Sequence, residues 1–334
     1  MATIYEVAAH AGVSPATVSR VINGTAVRPA LETRVQEAIA ILEYRPSKRA
    51  RALRTKRSEM IALVIPDLEN SFFTALARGA ERVTREAGYS LVLCNTDGDP
   101  AYETAYVEVI QDEHVPGAIV APYGGGAPFA ALLDEGRPLV AVDCRIADPR
   151  ADAVLAANHA SAVLATQWQF DQGRSRVACI TGQREVDTAR ERAEGWREEV
   201  DRRTGAPDEY LVWTDYQVAG GTRALEQLLD LPNPPDGIVA ANHLIAIGVL
   251  AALAHLGMKP GDITLSVCDS LPYLTVPLPG LHTVPNPSRE IGAHAARLLL
   301  ARIHGDTSPP RTVVLDSTGA IVSSAAHPTT QPVS

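Results

Sequence analysis

The 334-residue sequence predicts an all-α N-terminal domain built on a helix-turn-helix, followed by an α/β body with two parallel-sheet subdomains. Three observations carry this. The first sixty residues read as short amphipathic helices punctuated by Gly12 and Gly24. From Met60 onward, short apolar runs recur about 20–30 residues apart, the spacing of βαβ units. The charge is also divided. Residues 1–60 hold ten Lys/Arg against five Asp/Glu, a net +5, which leaves −14 for the rest of a chain whose total is −9. A basic module joined to an acidic body is the pattern of a nucleic-acid binder whose body avoids nonspecific adhesion.

The N-terminal elements follow from local chemistry. Thr3-Ile4-Tyr5-Glu6 reads as a capping box that opens a helix running to about His10. Gly12 supplies the turn. Ser14 is a good N-cap, and Pro15 fits the first helical position, where no amide donor is needed. The second helix runs to about Asn23, and Gly24 ends it. Val18, Val21 and Ile22 recur at i, i+3, i+4 and face inward. That leaves Ala16, Ser19, Arg20 and Asn23 outward. This face is small at its N-terminal end and carries hydroxyls, one Arg and one Asn. These are groups that hold phosphates and read guanine in a major groove. Taken alone, a solvated helix face accounts for them equally well.

A third helix is expected over about Leu31–Tyr44, with Val35, Ile39 and Leu42 inward. Beyond it, Pro46-Ser47-Lys48-Arg49-Ala50-Arg51-Ala52-Leu53-Arg54 is dense in Arg and Ala. A helix here buries almost nothing and is unstable by itself. It gains a reason to fold against phosphates, with Leu53 as a wedge between minor-groove base pairs. A charged linker is the alternative.

In the body, the runs MIALVIP, YSLVLCN, GAIVAP, PLVAVD, RVACITG, EYLVWTD, DGIVAAN and ITLSVCD are near-continuous rather than alternating, as for strands covered on both faces. Their number suits two sheets. Open parallel sheets bind ligands beyond the carboxyl ends of their strands, and those ends carry Asp67, Asn95, Asp143, Asp215, Asn242, Asp269 and Asn286. Arg190 and Arg192 follow another strand, and Phe72, Phe73 and Tyr216 add flat apolar surface nearby. Such groups suit a polyhydroxylated or planar heterocyclic ligand. Singly, each is an ordinary turn or cap residue; the repetition points to a cleft.

Composition excludes other classes. No run of eighteen apolar residues is present, which argues against a membrane span. The start, MATIYEVAAHAGVS, lacks a basic segment followed by an apolar one, so a cytoplasmic location is expected. Cys94, Cys144, Cys179 and Cys268 form no CxxC pair and read as reduced thiols in or near a core. No GxSxG, HExxH, P-loop or strand–GxGxxG–helix unit occurs, and no catalytic residue, metal or cofactor is expected.

The segment TIYEVAAHAGVSPATVSRVIN resembles the DNA-binding signature of the lactose-repressor (LacI/GalR) family across about twenty contiguous residues. Ala50-Arg51-Ala52-Leu53 resembles that family's hinge-helix motif at the expected separation. The resemblance implies that Pro15, Ala16 and Arg20 read bases. It implies that Ser14, Thr17, Ser19 and Asn23 hold the DNA backbone, that Leu53 of the hinge levers open the operator centre, and that Thr3 and Ala50 also belong to the DNA-binding set. It continues more weakly to about residue 324 as a periplasmic-binding-protein type I-like fold. There it implies effector contacts from Arg192, Tyr216, Asn242 and Asp269, and less directly from Phe73, Asp143 and Asn286. The chain departs from the family pattern at Asn242-His243 for Asn-Asp, at Val267-Cys268-Asp269-Ser270, and at Ala157 before Asn158.

The implied organisation is a DNA-binding domain over 1–46, a hinge over 47–58 and an effector and dimerisation domain over 59–334. The first subdomain is expected at about 59–157 and 286–316, the second at about 158–285 and 317–325. The implied function is a homodimeric repressor of palindromic operator DNA, controlled by a sugar or related metabolite. A solute-binding receptor suits residues 60–334 but leaves the basic module unexplained, and an enzyme lacks any motif.

Overall fold

The computed structural model describes residues 2–22, 24–44, 58–259, 261–272, 274 and 276–326. The chain divides into two compact units, Met1–Ser58 and Glu59–Ser334. Asn23, Ala50 and Leu53, with most of the expected hinge, lie outside the described residues.

The first unit holds α1 (Ile4–Ala11), α2 (Pro15–Ile22) and α3 (Pro29–Ile41). The capping box forms: Glu6 N donates to Thr3 Oγ1 at 3.3 Å, and Thr3 N donates to Glu6 Oε2 at 2.7 Å. These bonds hold the Glu6 carboxyl below its ordinary range. Gly12 turns the chain at φ 60°, where its carbonyl accepts from Arg34 Nη2. The α3 helix begins earlier than the periodicity predicts because Pro29 occupies its first turn. Val7, Ala8, Ala11, Val18, Val35 and Ala38 form the core, with Val21, Ile22, Ile39 and Leu42 packed around it. So few fully buried side chains make a marginal core.

In the second unit, among the described residues, the strands form a seven-stranded and a five-stranded sheet. The chain first lays down β1 (Met60–Ile65), α4 (Ser71–Glu86), β2 (Ser90–Asn95), α5 (Pro100–Asp112) and β3 (Ala118–Val120). A short α6 (Ala130–Asp134), β4 (Leu139–Val142) and β5 (Asp152–Ala156) complete this first pass. It then builds the second sheet from α7 (Asn158–Asp171), β6 (Val177–Thr181), α8 (Asp187–Arg203), β7 (Leu211–Trp213), α9 (Val218–Leu229), β8 (Gly237–Ala240), α10 (His243–His255), β9 (Thr264–Val267) and β10 (Leu281–Thr283). It returns through α11 (Ser288–Ile303) and β11 (Arg311–Leu315) to β12 (Ile321–Ala326). The orders are β12-β11-β5-β4-β3-β1-β2 and β10-β9-β8-β6-β7, parallel throughout except for β12.

Alternation along the strands fills both faces of the larger sheet. Ile61, Leu63 and Ile65 pack in one cluster, and Ala62 and Val64 in another. Helices approach to backbone contact at glycines: a Cβ on Gly79 of α4 would collide with the Arg289 carbonyl of α11, and one on Gly248 of α10 with the Val218 carbonyl of α9. The return segment is pinned by a buried ion pair. Arg302 Nε donates to Asp152 Oδ2 at 2.8 Å, and Arg311 N donates to Asp152 Oδ1 at 2.8 Å.

Two expectations are corrected. Segment 317–325 does not join the second subdomain: β12 pairs antiparallel with β11 in the first sheet. The cause is local. Asp316 Oδ1 accepts from Thr318 N and Ala320 N, and Gly319 sits at φ 84°, so the chain reverses on the spot. Strand β2 is not covered on both faces. It lies at the sheet edge, leaving Val92 and Leu93 40% and 37% exposed. No helix among the described residues is long and apolar enough to cross a membrane. Cys94, Cys179 and Cys268 are buried, Cys144 is partly exposed, and all four are free.

Candidate functional site: a polar helix surface and a cleft between subdomains

In the first unit, α2 presents a short polar surface. Ser14 Oγ accepts from Thr17 N at 3.3 Å and lies 3.0 Å from Thr17 Oγ1, so the helix start is capped as expected. Val18 is fully buried beneath, while Ser14, Ala16 and Arg20 are exposed and Pro15, Thr17 and Ser19 half-buried. Thr25 N bonds back to the Arg20 carbonyl, and Gly24 takes φ 66°, closing the helix. Tyr5 on α1 is 71% exposed, an aromatic ring that the sequence reading passed over.

The second unit holds a cavity of about 1340 Å³ at the carboxyl ends of both sheets. All seven residues expected to contact an effector line it: Phe73, Asp143, Arg192, Tyr216, Asn242, Asp269 and Asn286. Asp67, Asn95 and Asp215 line it too, but Asp67 and Asp215 also have local work. Asp67 Oδ1 accepts from Glu69 N and Asn70 N, and Asp215 Oδ1 accepts from Gln217 N. Arg190 does not reach the cavity, because its guanidinium is turned to Asp187 and the Arg184 carbonyl.

Each half contributes aromatic surface. Phe72 and Phe73 pack edge to face with centroids 5.0 Å apart. Tyr216 enters from the loop after β7 and lies against Gly182, where any Cβ would strike its ring. Burial pushes the Tyr216 hydroxyl up from its ordinary range.

Arg192 projects from α8 and is 6% exposed. Its Nη2 donates to Asn158 Oδ1 at 2.8 Å, and Asn158 Nδ2 donates to Glu191 Oε2 at 3.0 Å. Asn158 opens α7, so the crossing segment itself orients the guanidinium. Arg192 Nε remains buried without a hydrogen-bond partner, as do Oδ1 of Asn95 and Oδ1 of Asn286. Unsatisfied buried polar atoms are costly, and three of them belong to residues lining this one cavity.

Asp143 sits at φ 65° in a three-residue turn closed by Cys144 N to the Val142 carbonyl at 2.7 Å. A left-handed non-glycine residue is strained, and such strain gathers at functional sites. Burial pushes its carboxyl up to about 6; Arg192 and the Cys144 thiol oppose the rise, and the like charges of Asp269 and Glu191 add to it.

A chain of hydrogen bonds links the two subdomains beside the cavity. His243, at the first position of α10, places Nδ1 2.7 Å from Asp269 Oδ2 and Nε2 3.1 Å from Ser71 Oγ at the start of α4. These three residue types also make nucleophilic triads. Neither Ser71 nor His243 lines the cavity, however, so the arrangement is a strut rather than a reactive centre. In the sequence His243 stands out only as a departure from the family's Asn-Asp; the topology brings Ser71 to it. Asn242 caps α10 through Ile245 N, and its Nδ2 donates to the Tyr216 carbonyl at 3.4 Å. No cluster of metal-ligating side chains occurs among the described residues.

Comparison with known proteins agrees with both halves. A model of bacterial regulatory proteins of the lacI family matches residues 3–47, and a periplasmic binding protein-like domain matches 169–323. The ribose operon repressor of Halalkalibacterium halodurans is 36% identical over 305 residues, covering 91% of each chain. The transcriptional repressor PurR of Aliivibrio fischeri is 31% identical, covering 91% of this chain and 92% of its own. Among solved structures, the transcriptional regulator CelR in complex with cellobiose aligns with a TM-score of 0.70 at 27% identity, covering 95% of this chain and 97% of that one. With its helix-turn-helix and its two-sheet ligand domain, the chain belongs to the LacI family of DNA-binding transcriptional regulators.

Proposed function

We propose that the chain is a cytoplasmic, homodimeric repressor that binds a palindromic operator and is controlled by a sugar or related metabolite held in the cleft. The observation that carries the effector half is the cavity wall: unpartnered Arg192 Nε, Asn95 Oδ1 and Asn286 Oδ1 beside Phe73 and Tyr216. A hydroxyl both donates and accepts, so one hydroxyl can bridge Arg192 to Asp143 or Asp269. The aromatic rings cover the apolar face of a sugar ring. The cavity exceeds the volume usual for small-ligand sites, so the two subdomains close on the ligand, with the His243 strut between them. The repressor names of the similar proteins, above all the ribose operon repressor, make D-ribose the first probe.

On the DNA side, Arg20 reads a base with Pro15 and Ala16 at close approach. Ser14, Thr17, Ser19 and Asn23 hold phosphates, Thr3 braces the first helix beside them, and Ala50 and Leu53 form the hinge at the operator centre. One α2 reads one half-site, so two copies are needed. The exposed Val92 and Leu93 on edge strand β2 offer an apolar surface for the second copy. Operator selection from a random pool at fixed salt tests this reading. A two-fold symmetric sequence is expected, and enrichment of no symmetric sequence would refute it.

A further inference from the structure

We propose that the cleft takes only ligands without negative charge, so that the effector is the free polyol and its phosphorylated or carboxylated derivatives are rejected. This rests on the sugar reading above and narrows it.

The cavity wall is rich in acidic side chains. Eight carboxylates line the cavity against two guanidiniums, Arg145 and Arg192, and two of the eight, Asp187 and Asp215, are ion-paired with Arg190 and Arg223 outside it. Arg145 is exposed at the rim, and Arg192 alone is deep. It already faces the charges of Asp143 and Asp269. The carboxyl of Asp143 is itself driven up by burial and by its acidic neighbours, so the site holds its present negative charge at a cost. A further anion meets a repulsive field in a partly desolvated cleft.

Helix N-termini are the usual remedy for a phosphate, but two of those at this cleft are capped by their own asparagines, and α8, which has no side-chain cap, opens with the carboxylate of Asp187. Asn70 Oδ1 accepts from Phe72 N at 3.0 Å, and Asn242 Oδ1 from Ile245 N at 2.9 Å. At the start of α8 a phosphate would meet the Asp187 carboxylate in the first turn. The independent sign that a ligand belongs here is Arg192 Nε, buried and unpartnered in the cavity wall. A hydroxyl can accept from it and donate onward to Asp143 or Asp269. A phosphate or carboxylate oxygen can only accept, and sets acceptor against acceptor at both aspartates. The protein therefore reads its sugar before a phosphoryl-transfer reaction consumes it.

Matched pairs test this by calorimetry and thermal shift on the full chain: D-ribose and D-ribose 5-phosphate, D-glucose and its 6-phosphate, D-gluconate beside glucose, adenosine and its 5′-monophosphate. The neutral member of one pair is expected to bind, with its anionic partner at least ~100-fold weaker at low salt. The gap should narrow at about 0.3 M salt. The double variant Glu69→Gln/Glu185→Gln removes exposed rim charge outside the expected ligand contacts. It should shrink the gap roughly tenfold and leave neutral binding unchanged. An anion that binds as tightly as its neutral partner overturns the proposal and spares the sugar reading. Binding of adenosine with no sugar overturns the sugar reading and spares the charge rule. A chain that answers to no member of any pair overturns both.

Discussion

The two binding regions are encoded in different ways. The DNA face of α2 comes from one short stretch: Ser14 caps, Val18 anchors and Arg20 projects, all within seven residues. The cleft draws on side chains from Phe73 to Asn286, brought together only because parallel strands of two sheets end at one place. A local pattern suffices for the first, whereas the second depends on topology. The two should therefore fail separately: a change in the cleft alters the response to the ligand, and a change on α2 alters operator choice.

The largest expected effect is at Arg192. Arg192→Ala leaves Asp143 and Asp269 without their cation, and losing one partner of a buried charged set costs about 3–5 kcal/mol. Sugar binding measured by calorimetry should fall at least ~100-fold, with operator affinity in the absence of sugar unchanged. Equal loss of both would break the separation drawn above. Next is Arg20→Ala. A base-reading Arg is worth about 1–3 kcal/mol, so discrimination between operator and random DNA should drop ~10- to 100-fold while sugar affinity is kept. Unchanged discrimination by gel shift would remove Arg20 from base readout.

His243→Phe sharpens the comparison within the cleft. It keeps a ring but removes the bonds to both Asp269 and Ser71. Sugar affinity is expected to fall about tenfold, and His243→Asn, which can restore one bond, should recover part of it. If both variants bind like the parent, the strut does not take part in closure.

The smallest effect is at Asp143. Its carboxyl is pushed up to about 6 in the folded protein, above its ordinary 3.8. Between those values the folded state binds more protons than the unfolded one, so stability falls as pH rises through this window and the deficit persists above it. Asp143→Asn should raise the melting temperature by about 3 °C near pH 8 and leave it unchanged near pH 4. A uniform shift at both pH values would contradict this origin.

How much the sequence disclosed follows the same division. The capping box, both glycine turns and the inward Val18 and Val35 were legible because their causes lie within four residues of chain. Eight apolar runs became strands, and the polar residues at their ends met in one cavity. Strand β5 escaped because it opens with Asp152, a charge that reads as loop until Arg302, 150 residues away, neutralises it. Strand β12 was assigned to the wrong sheet because the Asp316–Gly319 reversal outweighs a family-level expectation. The Ser71–His243 link spans 172 residues and leaves no local trace.

The central claim is that the cleft controls the DNA module through an uncharged ligand. The direct measurement is fluorescence anisotropy of the selected operator at fixed salt, titrated with D-ribose and the neutral members of the panel, for the parent and Arg192→Ala. One neutral ligand is expected to change the parent's operator Kd by about 5- to 150-fold and to leave that of the variant flat. An operator Kd that no neutral ligand moves, or one that moves equally in both proteins, would contradict it.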